Sequence, residues 1–329
     1  MFRKITVSLA GILTLALAAG CGGASTTSGG SASGSSGAKK SITLGFSQVG
    51  SESGWRSANT ESVKSAATEA GVSLKFSDAQ QKQENQIKAI RTFIQQKVDV
   101  ISFSPVVTTG WDTVLKEAKD AKIPVILTDR SVEVSDPSLY VTLVGSDFTQ
   151  EGVKAGTWVN KEFAGTASVN MVELQGTTGS APALERKKGF FSVVTDPKFH
   201  LVASQTGDFT RAGGKQVMTA FLQAHKGINL LFAHNDDMAL GAIEAIQAAG
   251  LTPGKDIKII SIDAVKDGMQ ALSDGKINYI VECSPLLGPQ LMDTAKKVLA
   301  GGSVEKWIKT NESEFDQAKA AAVLPTRKY

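Results

Sequence analysis

The chain has 329 residues, 42% of them hydrophobic and 20% charged, with a formal net charge of +3. That length exceeds what one hydrophobic core ordinarily organises, so two domains are expected. The small positive charge is dispersed, without a basic block or an RNA-type aromatic signature, which excludes nucleic acid as a partner.

The first forty residues differ from the rest. MFRK supplies a positive start, residues 5–17 an apolar run and LAAGC a small-residue junction, the pattern of a secretory signal peptide over residues 1–20. The apolar run, at roughly 13 residues, is short for a bilayer span. A cysteine directly after Ala-Ala-Gly resembles a bacterial lipobox, with Ala18 where leucine is commonest and Leu17 one place early, and makes Cys21 the candidate lipidation site. The bland alternative is an ordinary signal peptide followed by an incidental cysteine. GGASTTSGGSASGSSGAKK lacks the apolar content to fold and completes a lipidated, flexible tether over residues 21–40. The expectation is an extracytoplasmic protein, lipid-anchored to the cell membrane. The only other cysteine is Cys283, so lipidation of Cys21 leaves no disulfide. No Cys/His spacing suggests a metal site.

From Ser41 onward, β-rich runs alternate with helical patterns. In chain order they are ITLGFSQV, SLKFSDA, VDVISFSPV, IPVILTDR, LYVTLVGSD, SVNMVELQG, LVASQTGDF, INLLFAHN, IKIISIDA and NYIVECSP. Such near-continuous apolar runs suit strands of a parallel sheet covered on both faces. Between them, Ile87, Ile90, Ile94 and Val98 recur at helical spacing, as do Met238, Ala242, Ile243, Ile246 and Ala249. Gly71, Gly250 and Gly275 fall where helices should stop. The βαβα alternation predicts a doubly wound α/β architecture. Ten strands are many for one compact sheet, so two similar sheets are expected.

Open sheets of this kind bind ligands outside the carboxyl ends of their strands. Here those ends carry Ser104-Pro105, Asp129-Arg130, Asp208 to Arg211, His234 to Asp237, and Asp263. After the first strand comes GSESGWRSA, whose glycines are spaced like a nucleophile elbow but whose central residue is Glu52. A tight strand-to-helix turn accounts for the glycines, and Trp55 and Arg56 follow it. Asp, Asn and Arg groups can serve adjacent hydroxyls as acceptors and donors, while an aromatic face packs on the C–H face of a sugar ring. No phosphate loop and no dinucleotide fingerprint is present. Each candidate also has a structural reading: Asp129-Arg130 as an ion pair, Asn235 or Asp236 as a helix cap with Asp237 complementing the dipole, Asp263 as a cap, Trp55 as core. Trp111 reads as packing, and His234 has no recognisable catalytic or metal-binding partner.

At these residues the chain resembles periplasmic binding proteins of the ribose and galactose class, the solute receptors of sugar ABC importers, and among them the galactofuranose-binding members. The resemblance is carried by GFSQVGSESGWR, QQKQENQIKAIRTFI, SPVVTTGWDTVLKEAKDAKIPVILTDR, VELQGTTGS, ERKKGF, GDFTR, AHNDDMALGAI, PGKDIKIISIDAVKDG and VECSPLLGP, spanning residues 42–290 in order. It implies the type I fold: two Rossmann-like lobes joined by a three-crossing hinge, residues 41–144 with 282–308 in one and 145–281 with 309–329 in the other. It further implies that Trp55 stacks on the sugar beside Arg56, that Asp129 and Arg130 clamp it, and that Arg186, Phe209, Asn235 and Asp263 line the second-lobe wall. Ser53 and Ser104 stand where the ribose class has asparagines, and Cys283 where it has a glutamine ligand; these departures point from ribose toward a hexose, galactofuranose among them. Glu52 and Cys283 are further candidate ligand groups.

The expected function is a non-enzymatic, monomeric lipoprotein receptor that needs no cofactor or metal, holds a monosaccharide between its lobes and delivers it to an ABC permease. Alternatives are a chemosensory or quorum-signal sugar receptor on the same fold, and a secreted glycoside hydrolase using Glu52 with an aspartate. A repressor with the same body would need a helix-turn-helix where this chain has its signal and tether.

Overall fold

The computed structural model describes residues 41–329; the segments expected to be signal peptide and tether, and Cys21, lie outside the described residues. Chain order in the first part is β1 (Thr43–Gln48), α1 (Gly54–Glu69), β2 (Ser73–Asp78), α2 (Gln83–Gln95), β3 (Val100–Phe103), α3 (Asp112–Asp120), β4 (Val125–Thr128) and β5 (Thr142–Gly145). The second part runs α4 (Phe148–Glu162), β6 (Val169–Gln175), α5 (Ala181–Val193), β7 (Phe199–Thr206), α6 (Arg211–Ala224), β8 (Leu230–Ala233), α7 (Asp236–Ala248), β9 (Lys258–Asp263), α8 (Lys266–Ser273) and β10 (Tyr279–Glu282). It closes with α9 (Gly288–Leu299), β11 (Trp307–Lys309), β12 (Glu314–Phe315) and α10 (Gln317–Val323).

The expected pair of doubly wound sheets is present. One has strand order β11-β5-β4-β3-β1-β2 and the other β12-β10-β9-β8-β6-β7. Pairing is parallel throughout except for β12, which runs antiparallel to β10. Both windings reverse direction beside their first strand, which opens a crevice at the strand carboxyl ends. The chain passes between sheets after β5, after β10 and between β11 and β12.

Each of the ten quoted runs contains a strand. The central strands β3, β4, β5 and β8 are buried at all four positions, as helices on both faces require. The edge strands β2 and β7 are mostly half-buried or exposed. Gly71, Gly250 and Gly275 follow α1, α7 and α8 with φ of +66°, +76° and +74°, the left-handed stop that glycine permits. Val98, read as part of the α2 stripe, instead lies beyond the helix end, buried in the turn before β3. The short β11 and β12 escape a sequence reading because three and two residues carry no apolar period.

In the second lobe, α4 and α5 approach until their backbones touch. A Cβ on Gly189 would lie 2.0 Å from the Thr149 carbonyl oxygen, and one on Gly152 would lie 2.2 Å from that of Arg186. Since backbone cannot yield as a side chain can, Gly189→Ala is expected to destabilise the chain by about 3 kcal/mol. The thermal midpoint, followed by circular dichroism, should fall by roughly 5 °C or more.

Candidate functional site

Side chains from both lobes converge on a narrow cavity of ≈ 20 Å³. Trp55, Arg56, Asp129 and Arg130 line it from the first lobe, Phe148, Pro182, Arg186, Phe209 and Asp263 from the second, and Cys283 from the return crossing. A wider groove between β2 and α2, lined by Lys75 and Phe93 among others, lies at the outer edge of the first sheet and brings no such groups together.

Arg56 is the hub of the first-lobe wall. The turn after β1 ends at Ser53, which caps α1 by accepting from the Arg56 amide at 3.1 Å, and this sets the arginine at the helix start. Its guanidinium is 3% exposed. It donates to Glu52 Oε1 (3.1 Å), to Gln48 Oε1 and Ser104 Oγ (both 3.2 Å) and to Asp129 Oδ2 (2.8 Å). Ser104 Oγ in turn donates to the same Asp129 oxygen at 3.1 Å. Burial disfavours the Arg56 charge, but Asp129 and Glu52 outweigh it and hold its pKa above the ordinary value. Asp129 leaves β4 with φ +67°, its amide tied to the Val144 carbonyl at 2.7 Å. Gly145 lets the strands close there: a Cβ on it would lie 2.6 Å from the Asp129 carbonyl oxygen.

Arg130 is committed differently. Its Nη1 reaches the Pro105 and Val106 carbonyls only at 3.4 Å, and its guanidinium lies 5.3 Å from the centroid of the Phe209 ring across the cleft. Its Nε is buried without a hydrogen-bond partner. Burial, then the neighbouring Arg56, lowers its pKa to about 10, so it remains a cation at neutral pH. Trp55 is 4% exposed; its ring carries the Arg56 guanidinium at 4.5 Å and its Nε1 donates to the Cys283 carbonyl at 2.6 Å.

In the second lobe, Arg186 on α5 donates to Glu151 Oε2 at 2.7 Å and to the His234 carbonyl at 2.6 Å, and stands 3.7 Å from Asp263 Oδ1. Burial pushes the Asp263 carboxyl upward, against the pull of Arg186. Phe209 and Asp263 adopt φ of +62° and +127°, left-handed backbone that side chains rarely accept. Asn235 explains how the Phe209 turn is held: its Oδ1 caps α7 at the Met238 amide (3.0 Å), and its Nδ2 donates to the Phe209 carbonyl (3.1 Å). Asp236, fully buried, accepts from Ser261 Oγ and from the Val265 amide at 2.9 Å, which pins the turn carrying Asp263.

The crossings meet behind this wall. Glu312 accepts from Ser146 Oγ, from Thr310 Oγ1 (2.9 Å) and from the Ser284 amide (3.1 Å), joining segments that follow β5, β10 and β11. Donor atoms of Glu151, Cys283 and Glu312 lie within 4.8 Å of one another. Arg186 already occupies Glu151 Oε2 there, donating to it at 2.7 Å. Burial pushes the Cys283 thiol well up, leaving it a neutral, unreactive wall group.

Of the candidates from the sequence, Trp55, Arg56, Asp129, Arg130, Arg186, Phe209, Asp263 and Cys283 line the cavity. Ser53, Ser104 and Asn235 do not; they brace Arg56, Asp129 and Phe209. Glu52 sits behind the wall on Arg56, its Oε2 buried without a partner. Two lining residues went unread: Phe148, the first residue of α4 after a crossing, and Pro182, at the start of α5. A helix start facing the cleft was the available signal. His234 is fully buried and bonded through Nε2 to Glu173 at 3.0 Å, and Trp111 packs on Phe103 at 4.8 Å between ring centroids, both in lobe interiors.

Comparison with known proteins places this geometry. The periplasmic binding protein domain matches residues 44–303. The galactofuranose-binding protein YtfQ of Escherichia coli is 50% identical over 276 residues, 83% of this chain and 86% of the relative. A Mycobacterium smegmatis protein crystallised with β-D-fucofuranose superposes with TM-score 0.86 at 62% identity, over 88% of this chain and 96% of that one. The binding component of the arabinose ABC transporter of Shewanella sp. ANA-3, bound to L-arabinofuranose, gives TM-score 0.84 at 50% identity, covering 87% and 96%. A two-lobed α/β body with a polar interlobe cavity, matched by this domain over most of its length, belongs to the periplasmic binding protein family.

Proposed function

We propose that this chain is the receptor of a sugar importer, holding one monosaccharide in its furanose form, a hexofuranose such as galactofuranose, between its lobes for delivery to an ABC permease. The observation that carries the reading is Arg130: a buried cation lining the cavity whose Nε makes no hydrogen bond, Asp129 Oδ2 standing 3.7 Å away. A buried donor left unsatisfied costs about 1–3 kcal/mol, which a ligand oxygen would recover. Around it, Asp129, Asp263 and Arg186 can accept from and donate to neighbouring hydroxyls, while Trp55 and Phe209 offer apolar ring faces. The walls leave only ≈ 20 Å³ between them in this structure, so a sugar ring enters as the lobes part. Three relatives whose named sugars are furanoses support the furanose form. A sugar with contacts in both lobes favours the closed form by its differential affinity for it. The hydrolase alternative is disfavoured because Glu52 Oε1 already accepts from Arg56. Anchoring through Cys21 and monomeric action at the outer membrane face complete the proposal.

Calorimetry of the body lacking residues 1–40, against a panel of pentoses and hexoses, should give one-to-one saturation without product; product formation would sink the receptor assignment. Asp129→Asn leaves the buried Arg56 without its closest anion. It is expected to weaken sugar binding at least a hundredfold, about 3 kcal/mol, with the far-ultraviolet dichroism unchanged. Trp55→Ala should cost roughly tenfold in affinity through the lost ring face, and Trp55→Phe should recover most of it; equal losses in both would transfer the role to the indole N–H. In cells, Cys21→Ser is expected to move the protein from the membrane to the soluble fraction, and unchanged fractionation would count against the anchor.

A further inference from the structure

We infer that Asp237 is an interlobe latch, a second-lobe carboxylate that completes the N-terminus of a first-lobe helix and favours the closed receptor without touching the sugar. The inference rests on the receptor reading above. The Gly54 amide donates to Asp237 Oδ2 at 2.8 Å, across 183 residues of sequence. Gly54 is the first residue of α1, whose cap Ser53 accepts from the Arg56 amide and leaves that of Gly54 to the other lobe. The first turn of α1 contains no acidic residue. Asp237 itself lies in the first turn of α7, behind the cap Asn235. One carboxylate therefore faces the positive ends of two helices, its own and one in the opposite lobe, and each favours an anion there.

Neighbouring residues divide the work. Asp236 is turned inward onto Ser261 and Val265, while Asp237, 8% exposed and outside the cavity lining, is turned across the cleft. Its other oxygen is 3.6 Å from Arg211 Nε, which stays on the second lobe. Away from the crossings, polar contacts between the lobes also run from the Thr108 amide to the Gly179 carbonyl at 2.9 Å and from Ser131 Oγ to Glu185 at 3.2 Å. Neither brings an anion to a helix end of the opposite lobe. Opening the cleft separates Asp237 from α1, so the contact adds to closed-state stability and to sugar retention.

The test is stopped-flow release and calorimetry with D-galactose and L-arabinose solutions, which contain both ring forms, on the wild-type chain, Asp237→Ala, Gly54→Pro and the double variant. Proline is tolerated at a first helical position, and Ser53 before it is already extended (φ −145°, ψ 164°), so Gly54→Pro keeps the helix but replaces the N–H by a Cδ that abuts Asp237 Oδ2, a clash that Asp237→Ala relieves. Asp237→Ala is expected to weaken affinity about 5- to 30-fold and Gly54→Pro at least as much, both chiefly through faster release, with the galactose-to-arabinose affinity ratio unchanged. The double variant should be no worse than the weaker single one, since both remove one contact. Unchanged release in either single variant, additive losses, or an altered sugar ratio would overturn the latch. If Asp237→Ala does not fold, Asp237→Asn, which keeps the size of the side chain and removes its charge, takes its place in the same readouts. A wild-type chain without saturable sugar binding would instead overturn the receptor reading, and the latch with it.

Discussion

The first-lobe half of the site depends on one buried cation. Arg56 gathers the ends of three strands and the start of a helix: Gln48 closes β1, Ser104 and Asp129 follow β3 and β4, and Glu52 precedes α1. Removing charged groups from water costs several kcal/mol per ion, and an unpaired one would not stay ionised. The cost is offset only when every partner arrives together. The same four contacts that keep Arg56 charged therefore hold the cavity wall in one geometry, and leave Arg130 beside it with an Nε that makes no hydrogen bond.

The second lobe repeats this logic with different parts. Arg186 is fixed by Glu151 and by the His234 carbonyl, and burial pushes the Glu151 carboxyl up to about 8 against the pull of that arginine. Asp129, Phe209 and Asp263, which all line the cavity, carry left-handed backbone. Each such residue costs on the order of 1 kcal/mol or more and persists only where its surroundings over-determine it. Here they are over-determined: the Asp129 turn by the close approach of Gly145, the Phe209 turn by Asn235 and the Asp263 turn by Asp236.

Closure then couples two rigid walls through a small number of groups. Trp55 reaches from the first lobe to the Cys283 carbonyl of the return crossing, Arg130 lies over Phe209, and Gly54 meets Asp237. Behind them Glu312 ties together segments from all three passages between the sheets. The walls keep their shape because their charges are internally paired, so what is left to change is the distance between them. That is the physical basis on which a ligand held by both walls can act as a switch.

The sequence by itself determined the winding of both sheets and the identity of most cavity groups. Continuous apolar runs such as VISF and LLFA, alternating with helical patterns, suit interior strands, and in such sheets polar residues at the carboxyl ends, Asp129-Arg130 and Asp263 among them, have one crevice to face. Tertiary structure alone decided which polar residues touch the cavity and which support those that do. Ser53, Ser104 and Asn235 looked like ligand groups because capping and sugar binding use the same side-chain chemistry, and only their partners distinguish them. Glu151 and Glu312 gave no signal, since their partners Arg186 and Ser146 stand 35 and 166 residues away. Phe148 and Pro182 reach the cleft from helix starts after long-range crossings. Periodicity reports burial along one element, whereas pairing across elements depends on how they pack.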